Sequence, residues 1–167
     1  AAFGDADRIP DWGFCGCEKL RTLTFGERGW IYIIGMHAFE NCYALTAFPF
    51  PEDEVQDIGA YAFANSGLCG ALHLKGLVGL GMYAFLNCEI TELELPERIK
   101  LLSPGVLMQT ASLTMLSAPG VRMIENYALA MSGGERLTEC DIDFSQVTDL
   151  GIGALQNFHF KEPVVFS

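Results

Sequence analysis

Apolar and polar positions recur along the chain in a nine-residue pattern that returns about every two dozen residues. The pattern is clearest in residues 34–42, 58–66 and 80–88, which share an aliphatic residue, a glycine, an Ala-Phe pair and an asparagine at the same spacing. A period of this length exceeds a single hairpin and is typical of repeat architectures. The pattern therefore predicts a chain built from stacked copies of one short unit.

Each unit has one large apolar residue, the anchor, at the Phe position of the pattern. Alignment on this residue yields seven units, with successive anchors 22 to 26 residues apart. The anchors are Phe14, Phe39, Phe63, Phe85, Leu107, Leu129 and Leu155. Five residues before each anchor lies an aliphatic residue: Ile9, Ile34, Ile58, Leu80, Leu102, Ile124 and Leu150. The residue just before each anchor is small or valine, which predicts a column where neighbouring units approach closely.

Apolar residues two positions apart follow each anchor and predict a short strand with one buried face. Examples are the pairs Leu72 and Leu74, Leu93 and Leu95, and Leu116 and Ala118. A unit with one short strand and a return turn is too small to bury its own apolar side, so the units are expected to stack. We predict a repeat solenoid with parallel strands, in which residues 1–167 form a single domain of about seven repeats.

The strand pattern followed by I-G-x-x-A-F-x-N-C resembles the BspA-like subclass of leucine-rich repeats. Residues 34–42 carry the whole motif and residues 58–66 and 80–88 nearly all of it, whereas Ser103 and Glu125 replace its glycine in the fifth and sixth units. The resemblance implies a right-handed leucine-rich-repeat superhelix with one short parallel strand per repeat and short helical turns on the opposite face. It also implies a protein-binding or adhesion scaffold whose motif residues are not catalytic.

The charge of the chain argues against a polyanionic partner. The 167 residues carry a formal net charge of -11 and include only ten Lys and Arg residues. Nucleic-acid affinity comes mainly from clustered basic side chains, so we expect no nucleic-acid partner. Residues 101–121 are uncharged and long enough to cross a bilayer, but they contain Pro104 and Pro119 and keep the register of the repeat. We therefore predict no transmembrane segment.

Residues with reactive side chains fall into repeat columns. Cys17, Cys42 and Cys88 share a column that has serine or threonine in other units, which indicates small, buried, reduced thiols. A bridge between Cys17 and Cys42 stays conceivable, because equivalent positions in adjacent units lie near disulfide range. Residues 79–84 match the G-x-G-x-x-A form of a dinucleotide fingerprint, but the register of the repeat explains them. We predict no catalytic residue, no metal site and no cofactor.

Three further features are interpreted as structural. Asn41, Asn65 and Asn87 share one column and predict an internal ladder that caps backbone groups of the turn. His37 is interpreted as the one residue of its nine-residue pattern that belongs to no column of residues repeated from unit to unit. The run from Glu52 to Glu54 lies in a connecting loop and is interpreted as solvated.

The exposed side of the predicted strands is the candidate partner-binding surface, because alternate strand residues point to opposite faces. The candidate residues are Thr22, Thr24, Ala71, His73, Glu92, Glu94, Met115, Ser117, Glu139 and Asp141. This face changes from small, neutral residues at its N-terminal end to acidic residues at its C-terminal end. A partner would bring Lys or Arg to the acidic end. Alternatively, the acidic residues only keep an exposed sheet soluble and unpaired.

Two functions are compatible with this pattern. The first is a non-catalytic protein–protein interaction or adhesion module that binds through the exposed strand face. The alternative is a structural or scaffold subunit held permanently inside a larger multiprotein assembly. Residues 164–166 are apolar and would leave a terminal repeat uncapped, so we expect a fragment or a rod whose ends other subunits cover. A cell-surface or secreted location and the interior of an assembly both stay open.

Overall fold

The computed structural model describes residues 7–25, 30–134, 137–160 and 164–166. Within these ranges the strands form three parallel sheets. The first short-strand sheet contains β1 (Arg8–Ile9), β2 (Ile33–Ile34), β3 (Asp57–Ile58) and β5 (Gly79–Leu80). The long-strand sheet contains β4 (Cys69–His73), β6 (Glu89–Glu94), β8 (Met115–Ser117) and β10 (Glu139–Cys140). The second short-strand sheet contains β7 (Leu101–Leu102), β9 (Met123–Ile124) and β11 (Asp149–Leu150), and a 3-10 helix spans Phe144–Gln146.

Each parallel pair joins one repeat unit, or coil, to the next, which confirms the predicted solenoid. The aliphatic column is aligned in register along the two short-strand sheets: Ile9, Ile34, Ile58 and Leu80 in the first, and Leu102, Ile124 and Leu150 in the second. The coils are richer in strands than expected. In the described part of the chain, four of them carry a two-residue strand before the anchor turn in addition to the strand after it, because the residue preceding the aliphatic position is also extended and paired.

The two short-strand sheets are one ladder interrupted between Leu80 and Leu102. Before the interruption, the glycine after the aliphatic position donates its N–H to the previous coil, as Gly81 does to the carbonyl of Ile58 at 2.8 Å. Ser103 occupies this position in the fifth unit, and its hydroxyl donates to the carbonyl of Leu80 at 2.7 Å. The side chain thus takes over a bond that the backbone makes elsewhere, so the coils remain joined.

The core is a stack of anchor side chains along the solenoid axis. The rings of Phe14, Phe39 and Phe63 are parallel, with centroids 5.2 Å apart at each step, and Phe85 follows at 5.9 Å. The residues just before the anchors are completely buried in the second to sixth units: Ala38, Ala62, Ala84, Val106 and Ala128. They are small because the adjacent coil leaves no room for a larger side chain.

Each anchor turn divides its N–H groups between its own coil and the next one. Ala38, Glu40 and Cys42 donate to carbonyls three residues earlier, at 3.2 to 3.4 Å. The intervening residues His37, Phe39 and Asn41 donate to the following coil at 2.7 to 2.9 Å. This alternation replaces the short helical turn implied by the family resemblance, because a helix would keep all of these bonds within one coil.

The alternation also explains why bulky residues adopt left-handed backbone angles. His37 and Asn41 have φ of 55° and 59°, and the equivalent residues of most other coils are similar. Such angles are uncommon outside glycine and are held here by the bonds to neighbouring coils. The asparagine column follows from this requirement, since asparagine tolerates the left-handed region better than most residues.

The interpretation of His37 as free of any column is wrong. Its ring lies between Trp12 and Tyr61, with centroids 3.8 and 4.9 Å away, and Tyr83 extends the stack by another 4.9 Å. These four residues occupy the position two before the anchor, where a left-handed backbone directs flat rings outward one above another. The next coil has Gly105 at this position, and the ring of Tyr83 fills the space that a Cβ would need.

Residues 101–121 form β7, an anchor turn and β8, as the repeat register predicts. Within the described ranges of the chain, no helix is both long enough and apolar enough to cross a membrane.

The anchor stack should dominate the stability of the fold. Phe63 is completely buried between two other rings, so Phe63→Ala should lower the free energy of unfolding by about 3–5 kcal/mol. The matched control is Val78→Ala at an exposed position, which should change stability by less than about 0.5 kcal/mol. Urea denaturation measures both changes. Equal losses in the two variants would contradict a core built on the anchors.

Candidate functional site

The long-strand sheet brings eight of the ten candidate residues onto or beside one surface. Ala71, Glu92, Met115 and Glu139 form one row across β4, β6, β8 and β10. His73, Glu94 and Ser117 form a second row, and Asp141 lies next to it. The residues between the rows point inward, and Leu72, Leu93 and Leu116 are buried there. We call the surface of these eight residues the strand face.

The first two candidates lie elsewhere. Thr22 and Thr24 are exposed, but the segment that contains them is not a strand and does not pair with the long-strand sheet. The sheet begins at β4 in the third unit, because the second unit has Phe48-Pro49-Phe50-Pro51 where a strand would run. Proline lacks the N–H that a central strand must donate, so the ladder does not extend to the first unit.

Two hydrogen-bonded groups hold side chains in place on the strand face. At one edge, Nδ1 of His73 lies 2.9 Å from Oε2 of Glu94, and the two side chains are about equally exposed. At the other edge, Asp141 accepts bonds from the hydroxyl of Ser117 at 2.7 Å and from the N–H of Ala118 at 2.6 Å. Each group joins two coils, so the polar surface is oriented by the same stacking that builds the core.

Glu52 is a residue of this surface that the sequence interpretation missed. Its carboxylate accepts a bond from the N–H of His73 at 2.7 Å, so this member of the acidic run is not simply solvated. Glu52, Asp53 and Glu54 line a groove with His73 and Glu94. No repeat column includes Glu52, and its position depends on the path of the loop after Pro51. A pattern along the chain could not have identified it.

The electrostatics of the strand face come from carboxylates. Glu92 and Glu94 lie on β6, Glu139 lies on β10 and Asp141 directly follows it, and Met115 on β8 is flanked by Glu92 and Glu139 in the same row. Lys75 lies at the groove beside His73, at the opposite edge from Glu139. Among the described residues, no group of three or more His, Cys, Asp or Glu side chains is placed to hold a metal ion.

Two of the three cysteines of the column, Cys42 and Cys88, are buried and serve the coil-to-coil packing, whereas Cys17 is exposed, contrary to the prediction. All six cysteines are free thiols. The thiols of Cys42 and Cys88 each lie 3.1 Å from the anchor carbonyl of the preceding coil, and the hydroxyl of Ser132 makes the same bond at 2.7 Å. Burial is the main cause that raises the pKa of Cys42 to about 11 and that of Cys88 to about 12. Thiols that stay protonated in this way are poor nucleophiles.

The asparagine ladder differs in detail from the prediction. The side-chain amide of Asn65 donates to Oδ1 of Asn41 at 3.3 Å, and that of Asn87 donates to Oδ1 of Asn65 at 3.0 Å. The amides therefore bond to one another along the solenoid rather than capping the backbone. They lie at the surface and not in the interior, because the left-handed turn directs them outward.

Comparison with known proteins agrees with this geometry. The family model described as the BspA type leucine rich repeat region matches residues 4–77 and 32–161, in six copies. No curated protein matches the sequence. A leucine-rich repeat protein from Bacteroides ovatus has a similar structure, with a TM-score of 0.64 and 20% identity over 89% of this chain and 36% of that protein.

A second solved structure, the T. pallidum leucine rich repeat protein, has a TM-score of 0.52 and 19% identity over 73% of this chain and 70% of that protein. At these identities the likeness shows the fold alone. This chain spans 36% of the length of the Bacteroides ovatus protein.

The buried thiol of Cys88 should make the fold sensitive to alkali. Its pKa is raised from an ordinary 9.0 to about 12, so above pH 9 the unfolded chain releases a proton that the folded chain keeps. The contribution of this thiol to the free energy of unfolding is fully present below pH 9 and is smaller by about 1.4 kcal/mol at pH 10. Urea denaturation under reducing conditions at pH 8 and pH 10 should therefore show a smaller loss in Cys88→Ser. The idea fails if both proteins lose the same stability over this interval.

Proposed function

Because the chain belongs to the BspA-type leucine-rich repeat family, we propose that it is a non-catalytic module that binds a protein partner through its strand face. The observation that carries this proposal is the contrast between the two sides of the long-strand sheet. On β4, β6 and β8 the inward positions keep one residue type, as in Leu72, Leu93 and Leu116, and on β10 the equivalent residue is Cys140. The outward row in the same strands changes from alanine to glutamate to methionine and back to glutamate.

This contrast supports recognition because coil stacking constrains the inward positions and leaves the outward ones free. A repeat array turns such free positions into one extended surface, on which each coil contributes its own contact. Half of the strand face, namely His73, Glu94, Ser117 and Asp141, is also held by neighbouring coils before any partner arrives. Little side-chain ordering would then oppose binding.

The charge of the strand face favours a basic partner. Four of its eight residues are carboxylates, two on β6 and two at β10, so they lie on both sides of Met115 on β8. A partner with Lys or Arg near one apolar side chain would complement this arrangement, with the apolar side chain against Met115. Charges of this kind act mainly on the association rate and on partner choice, and salt weakens their effect.

The proposal is tested by crosslinking mass spectrometry on the native source material, followed by two arginine variants. A carboxylate-to-amine crosslinker should join Glu92, Glu94 or Glu139 to lysines of one partner. Ala71→Arg adds bulk and positive charge to the strand face and should reduce capture of that partner by about tenfold or more. Val78→Arg adds the same side chain at an exposed position beside the first short-strand sheet and should leave capture unchanged. Equal capture by the two variants would refute binding through the strand face.

The second candidate function is that of a structural subunit held inside a larger assembly. This second function is favoured by the exposure of Leu150, because the other members of the aliphatic column are buried. Leu150 is 49% exposed, whereas the other six members of the aliphatic column are at most 9% exposed. Ile152, two residues further on, is also strongly exposed. Apolar side chains in this state are typical of a surface that another chain covers.

Solution behaviour separates the two functions. A module that binds partners reversibly should sediment as a single monomeric species over a wide concentration range. A permanent subunit without its assembly should associate or precipitate, and Leu150→Lys together with Ile152→Lys should restore solubility. Sedimentation velocity of the wild-type chain as a stable monomer would exclude the second function.

A further inference from the structure

A cavity of about 500 Å³ lies beside the acidic end of the strand face. It is lined by residues 137–140, 142–145, 158–160, 164 and 165. The interval between the sixth and seventh anchors, Leu129 and Leu155, is 26 residues, compared with 22 in the middle of the chain, and it contains the 3-10 helix Phe144–Gln146. Residues 142–145 of this longer interval line the cavity. The volume falls in the range typical of small-molecule sites.

We propose that this cavity binds an alkylammonium group, that is, a primary amine at the end of an aliphatic chain. The proposal does not depend on the function suggested for the strand face, because binding of a small amine can be measured without any protein partner. The proposal rests on two parts of the cavity. An apolar wall would contact the aliphatic chain of the ligand, and a pair of carboxylates would contact its ammonium group.

The apolar wall contains phenylalanine rings that meet edge to face. Phe160 meets Phe144 at 5.3 Å and Phe158 at 5.1 Å, with interplanar angles of 82° and 67°. The anchor rings of Phe14, Phe39 and Phe63 stack in parallel instead. Phe144, Phe158 and Phe160, together with Val164 and Val165, line the cavity and give it an apolar surface. Phe144 and Phe158 are themselves buried, which keeps the wall in place.

The charged half consists of Glu139 and Asp143. The side chain of Glu139 accepts no hydrogen bond from any other described residue. Asp143 uses Oδ1 to accept bonds from the N–H and the hydroxyl of Ser145, at 3.1 and 2.6 Å, which orients the carboxylate. Among the described lining residues there is no Lys or Arg, and His159 is the one basic side chain. A cation therefore suits the site, whereas a carboxylate ligand would be repelled by both acids.

The test compares three ligands of equal length: hexylammonium, hexan-1-ol and hexanoate. Titration followed by protein-detected NMR should give a dissociation constant for hexylammonium that is lower than that for hexan-1-ol by about tenfold or more, and no binding of hexanoate in the same range. Equal affinity for the amine and the alcohol would overturn the proposal, because it would show an apolar cavity without charge recognition. Tighter binding of hexanoate would overturn it as well.

Variants separate the two halves of the site. Glu139→Gln should weaken hexylammonium binding by about fivefold or more and leave hexan-1-ol unchanged, whereas Phe160→Ala should weaken both ligands. Glu97→Gln removes a carboxylate from an exposed position elsewhere in the chain and should change neither affinity. His159→Gln should keep the preference for the amine. An unchanged hexylammonium affinity in Glu139→Gln would refute the assigned role of the carboxylate.

Cysteine footprinting locates the ligand independently of affinity. Cys140 lines the cavity, whereas Cys69 is exposed on β4, three strands away in the same sheet. Hexylammonium should slow the alkylation of Cys140 by iodoacetamide and leave that of Cys69 unchanged, as read by peptide mass spectrometry. Protection of neither thiol at a saturating amine concentration would place the ligand outside the cavity and contradict the proposal.

The same footprint distinguishes the sources of the amine. A capped peptide with one central lysine should protect Cys140 if the site takes a lysine side chain of a protein, and its Nε-acetylated form should not. Protection by hexylammonium alone supports a small amine as the ligand. If no amine protects Cys140, the cavity proposal is refuted. Binding at the strand face is tested by the crosslinking experiment, so the two proposals can fail independently.

Discussion

The structure depends on hydrogen bonds that no coil can make by itself. In the first six anchor turns, alternate N–H groups donate to the following coil, and most of the remaining ones bond to carbonyls three residues earlier within the turn. A single repeat would leave half of its turn donors without a protein acceptor and its anchor ring exposed. Because an unpaired buried backbone group costs about as much as a lost hydrogen bond, each unit is stable only against its neighbours.

This constraint explains most of the residue choices in the chain. The bonds between coils require left-handed backbone angles on both sides of the anchor, and those angles direct one column of rings and one column of amides outward. Trp12, His37, Tyr61 and Tyr83 then stack because their coils are spaced at about the separation of two strands, roughly 4.8 Å. In the cysteine, serine and threonine column, Cys42, Cys88 and Ser132 donate to the anchor carbonyl of the preceding coil. Residues that first suggest reactivity are therefore part of the scaffold.

The positions proposed for recognition are those that the stacking does not constrain. The strand face is one such set, and its rows differ from coil to coil while the leucines behind them do not. The other is the longer interval between Leu129 and Leu155, which contains the 3-10 helix and contributes to the lining of the cavity. Carboxylates belong to both sets, so we expect both the strand face and the cavity to favour a cationic group.

The sequence by itself determined the repeat, its anchors, the aliphatic column and the parallel stacking, because each is a steric rule that recurs at a fixed period. It also identified the row of Ala71, Glu92, Met115 and Glu139, since strand alternation is a local property. Only the tertiary structure decided that Thr22 and Thr24 lie outside the sheet, that Glu52 contacts His73, and that His37 belongs to an aromatic stack. These outcomes depend on how a loop or a prolyl segment lies against the neighbouring coil. Distances between coils are set by packing in three dimensions, and no period along the chain records them.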